Sequence, residues 1–232
     1  QTSPKAEVAS PVDSVFAINF VFAEDITQLT DGRVLVTDRD GRVSAFNADG
    51  SGRTAFATGL GGPAGIAQLA DGRVIVSEAI AKRVTTFNAD GSGWAMFADS
   101  LENPAGITQL ADGRVLVAEN YTHGLGRVTA FNVDDEGWSI FADSLGNPEG
   151  IAQLADGRVL VGADANKVVA FNADGGGRSV VAENVWTPKG VVELTGGGVL
   201  VVEAGRSKVR AFSVPPGSAR EQAEGAEVMG PV

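Results

Sequence analysis

The stretch GITQLADGRVLVAE, residues 106–119, contains the pattern that decides the fold of this chain. Its second half is an Asp-Gly pair followed by an apolar run, Val115-Leu116-Val117, and close copies of this octapeptide occur elsewhere. The five copies begin at residues 31, 71, 112, 156 and 196, so the period is about 40 residues. A fixed period of this length indicates an array of supersecondary units, and the fold follows from the unit that is repeated.

Each repeat predicts four short strands. Strand one is GIAQL or GITQL, and strand two is a continuous apolar run that suits burial on both faces. Strand three reads RVTAF or a variant, and strand four reads RTAFA, WAMFA, WSIFA or RSVVA. The Asp-Gly pair between strands one and two favours a two-residue hairpin turn, in which both residues tolerate positive φ. The sequence therefore predicts an all-β, five-bladed β-propeller of four-stranded antiparallel blades.

One blade sequence, NPAGITQLADGRVLVAEN followed by GRVTAFN, resembles the NHL-type blade. It is also similar to blades of the related gluconolactonase and strictosidine synthase-like propellers. A Pro-x-Gly before strand one is part of the match and begins at residues 63, 104, 148 and 188. The resemblance covers residues 12–213 and implies a propeller fold. That group usually closes with six blades, whereas this chain codes for five.

The fifth repeat lacks a fourth strand of its own. The repeats span residues 26–59, 66–100, 107–144, 151–184 and 191–213. The sequence SVFA at residues 14–17 matches a fourth strand, and it places Ala17 as far before Ile26 as Ala98 lies before Ile107. We therefore expect residues 12–17 to complete the last blade, with the strand supplied by the same chain or by a neighbour. Residues 1–11 and 214–232 are expected to be polar tails.

Composition excludes several classes of function. Lys plus Arg is 18 and Asp plus Glu is 29, so the net charge is −11. An acidic surface argues against nucleic-acid binding and against docking on anionic lipid. The chain has no cysteine, which excludes disulfides and thiolate metal sites. No apolar run approaches the roughly 18 residues of a membrane span, so we expect no membrane insertion.

The first residues, QTSPKAEVASP, are polar and small, and the chain does not begin with Met. This start indicates an N terminus processed after signal removal, with a trimmed sequence as the alternative. We expect a secreted or extracellular protein, with the periplasm as a further location.

The acidic residue that ends strand two is the strongest candidate for a functional constellation. These residues are Asp38, Glu78, Glu119 and Glu203, with Asp164 displaced by one position. A ring of carboxylates could bind calcium through oxygen. The alternative, which we favour, is that each acid pairs with a base of its own repeat. Those bases are Arg42, Lys82, Arg127, Lys167 and Lys208. We accordingly expect no cofactor, and calcium stays the alternative.

The resemblance to the gluconolactonase-like enzymes also implies positions for a catalytic divalent metal, some just before the conserved glycine. The matching residues here are Glu24, Ala64, Ala105, Glu149 and Lys189. Two alanines and a lysine cannot form a metal cage. The resemblance therefore implies the fold without the enzyme's site.

The longest loop between strands two and three is ENYTHGLG, residues 119–126, with the only histidine, His123, and the only tyrosine, Tyr121. A lone histidine could be a general base, as the likeness to streptogramin lyase-like propellers implies. We favour a loop histidine without a catalytic role, because no partner is visible. An insertion confined to one repeat suggests a contact surface at Tyr121 and His123. Asn120 begins the only N-glycosylation sequon and is the candidate for a glycan.

Trp94 and Trp138 occupy equivalent positions in strand four, the outer rim of a propeller, where they could contact a partner or pack between blades. These observations predict a non-enzymatic, exported structural or interaction propeller. Its expected partner is a protein, copies of itself above all, assembled through the terminal segments into an oligomer or filament. The alternative is a metal-dependent hydrolase or lyase of the gluconolactonase-like group.

Overall fold

A computed structural model describes residues 20, 22–121, 124–133, 137–163, 166–194, 198–206 and 208–214 of the 232-residue chain. Five antiparallel sheets follow one another along the chain, and the strands of each sheet lie in sequence order. The predicted five-bladed β-propeller is therefore confirmed. The strand expected at residues 12–17 lies outside the described residues, within which the fifth blade has three strands.

The strands of the five blades are numbered in chain order. Blade 1 contains β1 (Ala23–Gln28), β2 (Val34–Asp38), β3 (Arg42–Phe46) and β4 (Thr54–Thr58). Blade 2 contains β5 (Pro63–Gln68), β6 (Val74–Glu78), β7 (Arg83–Phe87) and β8 (Ala95–Ala98). Blade 3 contains β9 (Pro104–Gln109), β10 (Val115–Glu119), β11 (Arg127–Phe131) and β12 (Trp138–Ala142). Blade 4 contains β13 (Ile151–Gln153), β14 (Val159–Ala163), β15 (Lys167–Phe171) and β16 (Ser179–Glu183). Blade 5 contains β17 (Pro188–Glu193), β18 (Gly198–Glu203) and β19 (Lys208–Ser213), with a 3-10 helix at Ala204–Arg206.

The second strand of each of the first four blades forms the centre of the core, whereas β18 of blade 5 is buried only in part. Every residue of β2, β6, β10 and β14 is buried, as the continuous apolar run predicts. Leu35, Ile75, Leu116 and Leu160 in these strands are fully buried. Burial on both faces means that the second strand of each of these four blades is covered on either side.

Apolar layers join consecutive blades. Leu35 and Val43 of blade 1, for example, belong to the same buried cluster as Ile66 and Val76 of blade 2. Equivalent clusters join blades 2 and 3, blades 3 and 4, and blades 4 and 5. A phenylalanine of strand four also meets the phenylalanine of strand three in the next blade at the first three of these junctions. The ring centroids are 5.9 Å apart for Phe56–Phe87 and 5.8 Å apart for Phe97–Phe131 and Phe141–Phe171.

The hairpin between strands one and two is one residue longer than expected. Leu29 donates to the carbonyl of Arg33 at 2.8 Å, and Gly32 donates to the carbonyl of Leu29 at 2.9 Å, so three residues form the loop. Gly32 has a φ of 91°, whereas Asp31 is not among the residues with positive φ. The prediction of a two-residue turn was wrong, because only the glycine takes the left-handed conformation, as in a three-residue loop with a glycine bulge.

Side-chain amides bridge neighbouring blades near these hairpins. Thr30 donates its backbone N–H to Oε1 of Gln68 in the next blade at 2.7 Å, and Ala70 donates likewise to Gln109 at 2.7 Å. Ala111 donates to Gln153 at 2.7 Å. The glutamine of GIAQL thus fixes the spacing between blades, in addition to the apolar layers.

Candidate functional site

The inner strands of all five blades line a cavity of about 380 Å³, which we call the axial cavity. Its charged residues lie on or just before the first strands of three blades: Glu24 and Asp25 on β1, Glu149 before β13, and Lys189 on β17. The rest of the lining is mostly apolar. A mainly apolar cavity with a few converging polar groups is the usual form of a small-molecule site.

Lys189 lies between two carboxylates of the axial cavity. Its Nζ is 3.3 Å from Oε2 of Glu24 and 3.5 Å from Oε2 of Glu149. Arg39 approaches the other oxygen of Glu24 at 3.5 Å. Burial raises the pKa of Glu149, and Lys189 opposes that rise. The ammonium group therefore occupies the place between the two carboxylates where a bound cation would lie.

Asp25 stands where the other four blades have the glycine of Pro-x-Gly. Its Oδ2 accepts the backbone N–H of Ile66 in blade 2 at 3.0 Å, and its Oδ1 accepts the N–H of Ile26 at 2.9 Å. Its own N–H donates to Oγ1 of Thr37 at 2.9 Å. Burial raises the pKa of Asp25 to about 6, and the charge of Glu24 adds to that rise. A carboxyl group with this pKa can exchange a proton near neutral pH.

The other blades show why glycine is usual at this position. A Cβ built on Gly65, Gly106 or Gly150 would collide with a backbone carbonyl oxygen of the next blade, that of Ala105, Glu149 or Lys189. The neighbouring inner strands therefore lie too close for a side chain. Among the described residues, in contrast, only Val202 of its own blade lies near the Cβ position of Gly190, at 3.4 Å. Within that part of the chain, the junction between blades 5 and 1 is thus more open than the junctions between blades 2 and 3, 3 and 4, and 4 and 5.

The acids that end strand two are buried and each is bound within its own blade. Oε1 and Oε2 of Glu78 accept from Nε and Nη2 of Arg83, both at 2.9 Å, and Oε2 also accepts the N–H of Gly61 at 2.6 Å. Oε1 of Glu119 accepts from Nε of Arg127 at 2.9 Å. Such charge-assisted bonds hold the segment between blades against strand two.

The remaining two described acids are held by other groups. Glu203 forms ion pairs with Arg210 at 2.6 Å and Lys208 at 3.6 Å. Asp38 accepts the N–H of Phe22 at 2.9 Å. Of the expected bases, Arg127 and Lys208 pair as proposed, whereas Lys82 and Arg42 pair instead with Glu102 and Asp40. Within the described residues, no three histidine, cysteine or acidic side chains are grouped so that they could hold a metal ion.

The loop at residues 119–126 is described in part. Tyr121 packs against Arg127, whose guanidinium carbon is 5.0 Å from the ring centroid, and its hydroxyl lies 3.5 Å from Oε2 of Glu119. Asn120 is half-buried, and its Oδ1 is buried without a hydrogen-bond partner among the described residues. Asp164 and His123 lie outside the described residues. The predictions of a glycan, a contact surface and a metal-binding ring stay predictions.

Both tryptophans of the outer rim are exposed, Trp138 at 61% and Trp94 at 49%. Arg127 lies over Trp138 and Arg83 over Trp94, with guanidinium carbons 5.7 and 5.4 Å from the ring centroids. Each of these arginines also binds the acid that ends strand two of its blade. The rim aromatics are therefore held in place by the same ion pairs that stabilise the blade interior.

Sequence reasoning missed the role of Asp25. The signal was present, because Ala23-Glu24-Asp25 replaces Pro-x-Gly in the first repeat alone. Lys189 was recognised as unsuited to a metal cage, but its position between Glu24 and Glu149 required the ring geometry.

Comparison with known proteins adds information about the fold. No protein family and no curated protein matches the sequence. Solved structures that share the fold include a chain of a nidogen/laminin complex, with 20% identity over 83% of this chain and 76% of that chain and a TM-score of 0.75. A gluconolactonase from Xanthomonas campestris matches with 18% identity over 86% and 75% of the two chains and a TM-score of 0.75. Virginiamycin B lyase from Staphylococcus aureus matches with 16% identity over 85% and 71% and a TM-score of 0.64. Enzymes and an interaction protein share this fold, and the chain has the fold of the NHL-type propellers that its sequence resembles.

Proposed function

We propose that the protein is a non-enzymatic interaction propeller that binds a protein partner through its outer rim. The observation that carries the proposal is a set of exposed apolar side chains on the outer edges of three successive blades. They are Trp94 and Met96 in blade 2, Trp138 and Ile140 in blade 3, and Val180 in blade 4. Clustered exposed apolar side chains are typical of interaction surfaces, and tryptophan contributes strongly to binding energy.

The rim also contains a groove. A cavity of about 580 Å³ lies between the outer parts of blades 2 and 3, lined by Met96, Phe97, Arg127 and Trp138 among others. The outer strands β8 and β12 beside it are sheet edges within the described residues, and their outer backbone groups can accept another strand. Apolar side chains, an arginine and an open strand edge together suit a protein surface.

We propose that the partner is a second copy of the chain. The nidogen/laminin structure shows this fold within a protein complex and supports an interaction role. With a net charge of −11, two copies repel each other, so their contact should strengthen when salt screens that repulsion. Export and assembly through the terminal segments stay predictions, since those segments lie outside the described residues.

Sedimentation velocity tests this proposal. We expect the sedimentation coefficient of the protein to rise with concentration, and to rise more at about 0.5 M than at about 0.05 M NaCl. Trp138→Ser combined with Ile140→Ser should give a monomer under both conditions. Ile80→Ser is the matched control, because Ile80 is 68% exposed and lies in a loop away from the rim. A wild-type protein that stays monomeric at every concentration and salt would refute the proposal.

A metal-dependent hydrolase or lyase is the second candidate, and the axial cavity with Asp25 favours it. That reaction would need a divalent cation beside Glu24 and Glu149, which Lys189 already bridges. The internal ion pairs support the interaction role over the enzyme. Binding of calcium by the wild-type protein at Glu24 and Glu149 would reverse this preference.

A further inference from the structure

One side of the axial cavity extends outward between blades 1 and 5, and we call this part the lateral cleft. Ile26 of β1 forms one wall, and three successive strands of blade 5 form the other. The residues of blade 5 are Val192 on β17, Leu200 and Val202 on β18, and Val209 on β19. Neighbouring strands of a sheet lie about 4.8 Å apart, so the cleft reaches about 10 Å outward from the inner strand.

Both walls of the lateral cleft are exposed where the same residue types are buried in other blades. Val209 is 59% exposed, and its four equivalents are at 0%. Ile26 is also 59% exposed, and its equivalents in blades 2, 3 and 4 are at 8% or less. The equivalents are Val43, Val84, Val128 and Val168 for the valine, and Ile66, Ile107 and Ile151 for the isoleucine. Within the described residues, blade 5 therefore packs less closely on blade 1 than the other blades pack on their neighbours.

A substitution in blade 5 accompanies this open junction. Val202 lies next to the last residue of strand two, where blades 1 and 2 have Thr37 and Ser77, and blades 3 and 4 have alanine and glycine. The hydroxyl of Thr37 donates to the carbonyl of Ala64 in the next blade at 2.7 Å. The hydroxyl of Ser77 donates likewise to the carbonyl of Ala105 at 2.5 Å. A valine cannot donate this bond and is larger than alanine or glycine, so Val202 presents an apolar side chain to the cleft instead of closing the junction.

The charged residues at the inner end of the lateral cleft are bound within the protein. Lys189 lies between Glu24 and Glu149, at 3.3 and 3.5 Å. Asp25 accepts two backbone N–H groups. A charged ligand would have to displace one of these partners or lose its water without replacement, which costs far more than burying an uncharged group. The cleft therefore suits a ligand without charge.

We propose that the lateral cleft binds a neutral, mainly apolar small molecule. The axial cavity with its cleft encloses about 380 Å³, within the usual range for small-molecule sites. The aliphatic side chains of the two walls contact the ligand, and removal of both apolar surfaces from water supplies the binding free energy. The site is separate from the outer rim and goes beyond the interaction role proposed above.

Two fluorescent probes that differ in charge test the proposal with the full-length protein. Phenylnaphthylamine is neutral, and anilinonaphthalene sulfonate has the same aromatic rings with one added sulfonate; both become brighter in an apolar site. We expect the neutral probe to bind saturably, one per chain, and about tenfold more tightly than the anionic probe. Equal affinities would overturn the neutral character of the ligand, and no saturable binding of the neutral probe would overturn the site.

Two substitutions locate the bound probe. Val209→Phe fills the cleft from a position that is already exposed, so the fold tolerates it, and the affinity for the neutral probe should fall about tenfold. Val202→Thr introduces the hydroxyl that blade 1 has at this position and should weaken binding to a smaller extent. Ile80→Phe is the matched control, because Ile80 is exposed and lies in a loop outside the cleft. Circular dichroism checks that each variant is folded.

The rim provides the last comparison. The variant with Trp138→Ser and Ile140→Ser should bind the neutral probe as the wild type does. Binding that is lost in this variant, or that is unchanged in Val209→Phe, would place the probe outside the cleft and overturn the proposal. Because self-association is measured separately by sedimentation, failure of the cleft and failure of the rim interaction are distinguishable.

Discussion

The contribution of Asp25 to stability can be predicted as a function of pH, because burial disfavours the ionised form of its carboxyl group. Its pKa is raised from 3.8 to about 6 in the folded protein. The folded state therefore holds the proton more tightly than the unfolded state, and stability falls as pH rises from about 4 through about 6. With about 1.4 kcal/mol for each pKa unit, the ionised carboxylate costs the fold about 3 kcal/mol at high pH.

Asp25→Asn removes this penalty. The amide cannot accept two backbone N–H groups as the carboxylate does, so the variant loses one hydrogen bond, about 1 kcal/mol at every pH. The informative quantity is the difference in unfolding free energy between variant and wild type as a function of pH. We expect this difference to move in favour of the variant by about 1.5 kcal/mol between about pH 5 and pH 8. Urea unfolding followed by tryptophan fluorescence or circular dichroism measures it, and the sequence pI of about 4.5 makes lower pH impractical.

Asp31→Asn is the control, with the opposite sign. Its hydrogen bond from Arg33 holds the pKa of Asp31 below the usual value, so ionisation of Asp31 favours the fold. Stability from Asp31 is present above its unfolded pKa and is lost only at lower pH, so its variant should show no gain as pH rises from 5 to 8. If the Asp25→Asn difference stays constant over that range, the carboxyl group is not suppressed by burial and this reasoning fails.

Three further substitutions test the geometry. Glu119→Ala leaves an arginine and a backbone N–H without their buried acceptor, so it should lower the free energy of unfolding by about 3 kcal/mol. Glu102→Ala, at an exposed ion pair, should lower it by under about 1 kcal/mol, and equal losses would contradict the assigned pairing. Gly106→Ala should lower stability by about 1–3 kcal/mol, because its Cβ meets the next blade, while Gly190→Ala should be nearly neutral; a large loss at Gly190 would show that the last junction is as tight as the others. Lys189→Met removes the internal cation, so millimolar calcium should raise Tm in this variant and not in the wild type; a calcium-induced rise in the wild type would contradict the bridging role.

The fold could be predicted from the sequence because the chain contains five copies of one unit, and each copy predicts the same strands. The apolar run of strand two predicts burial on both faces, and β2, β6, β10 and β14 show it. The hairpin was assigned the wrong length, since the sequence of an Asp-Gly pair does not determine whether one or both residues take positive φ.

The site was harder to predict because it depends on contacts between blades. Gln68 reads as an ordinary polar residue of a half-buried strand, and its bond to Thr30 appears only when two blades stand side by side. The sequence predicted ion pairs for the acids of strand two but named the wrong base in blade 2, because Arg83 and Lys82 are adjacent in sequence and the register of β6 with β7 decides between them. The local sequence pattern therefore predicts the fold of each blade, whereas the contacts that form the site depend on how neighbouring blades are arranged.

Departures from the repeat concentrate in the first and last blades of the chain. Asp25 of blade 1 replaces a glycine, Lys189 of blade 5 carries a charge where blades 2 and 3 have alanine, and Val209 of blade 5 is exposed where four equivalents are buried. Together they place a titratable group against blade 2, an ion pair between blades 5 and 1, and an exposed third strand in blade 5. Because the inner strands of blades 2 and 3 carry only alanine and glycine at these positions, the charged groups of blades 1 and 5 are the ones whose substitution separates binding at the axis from packing.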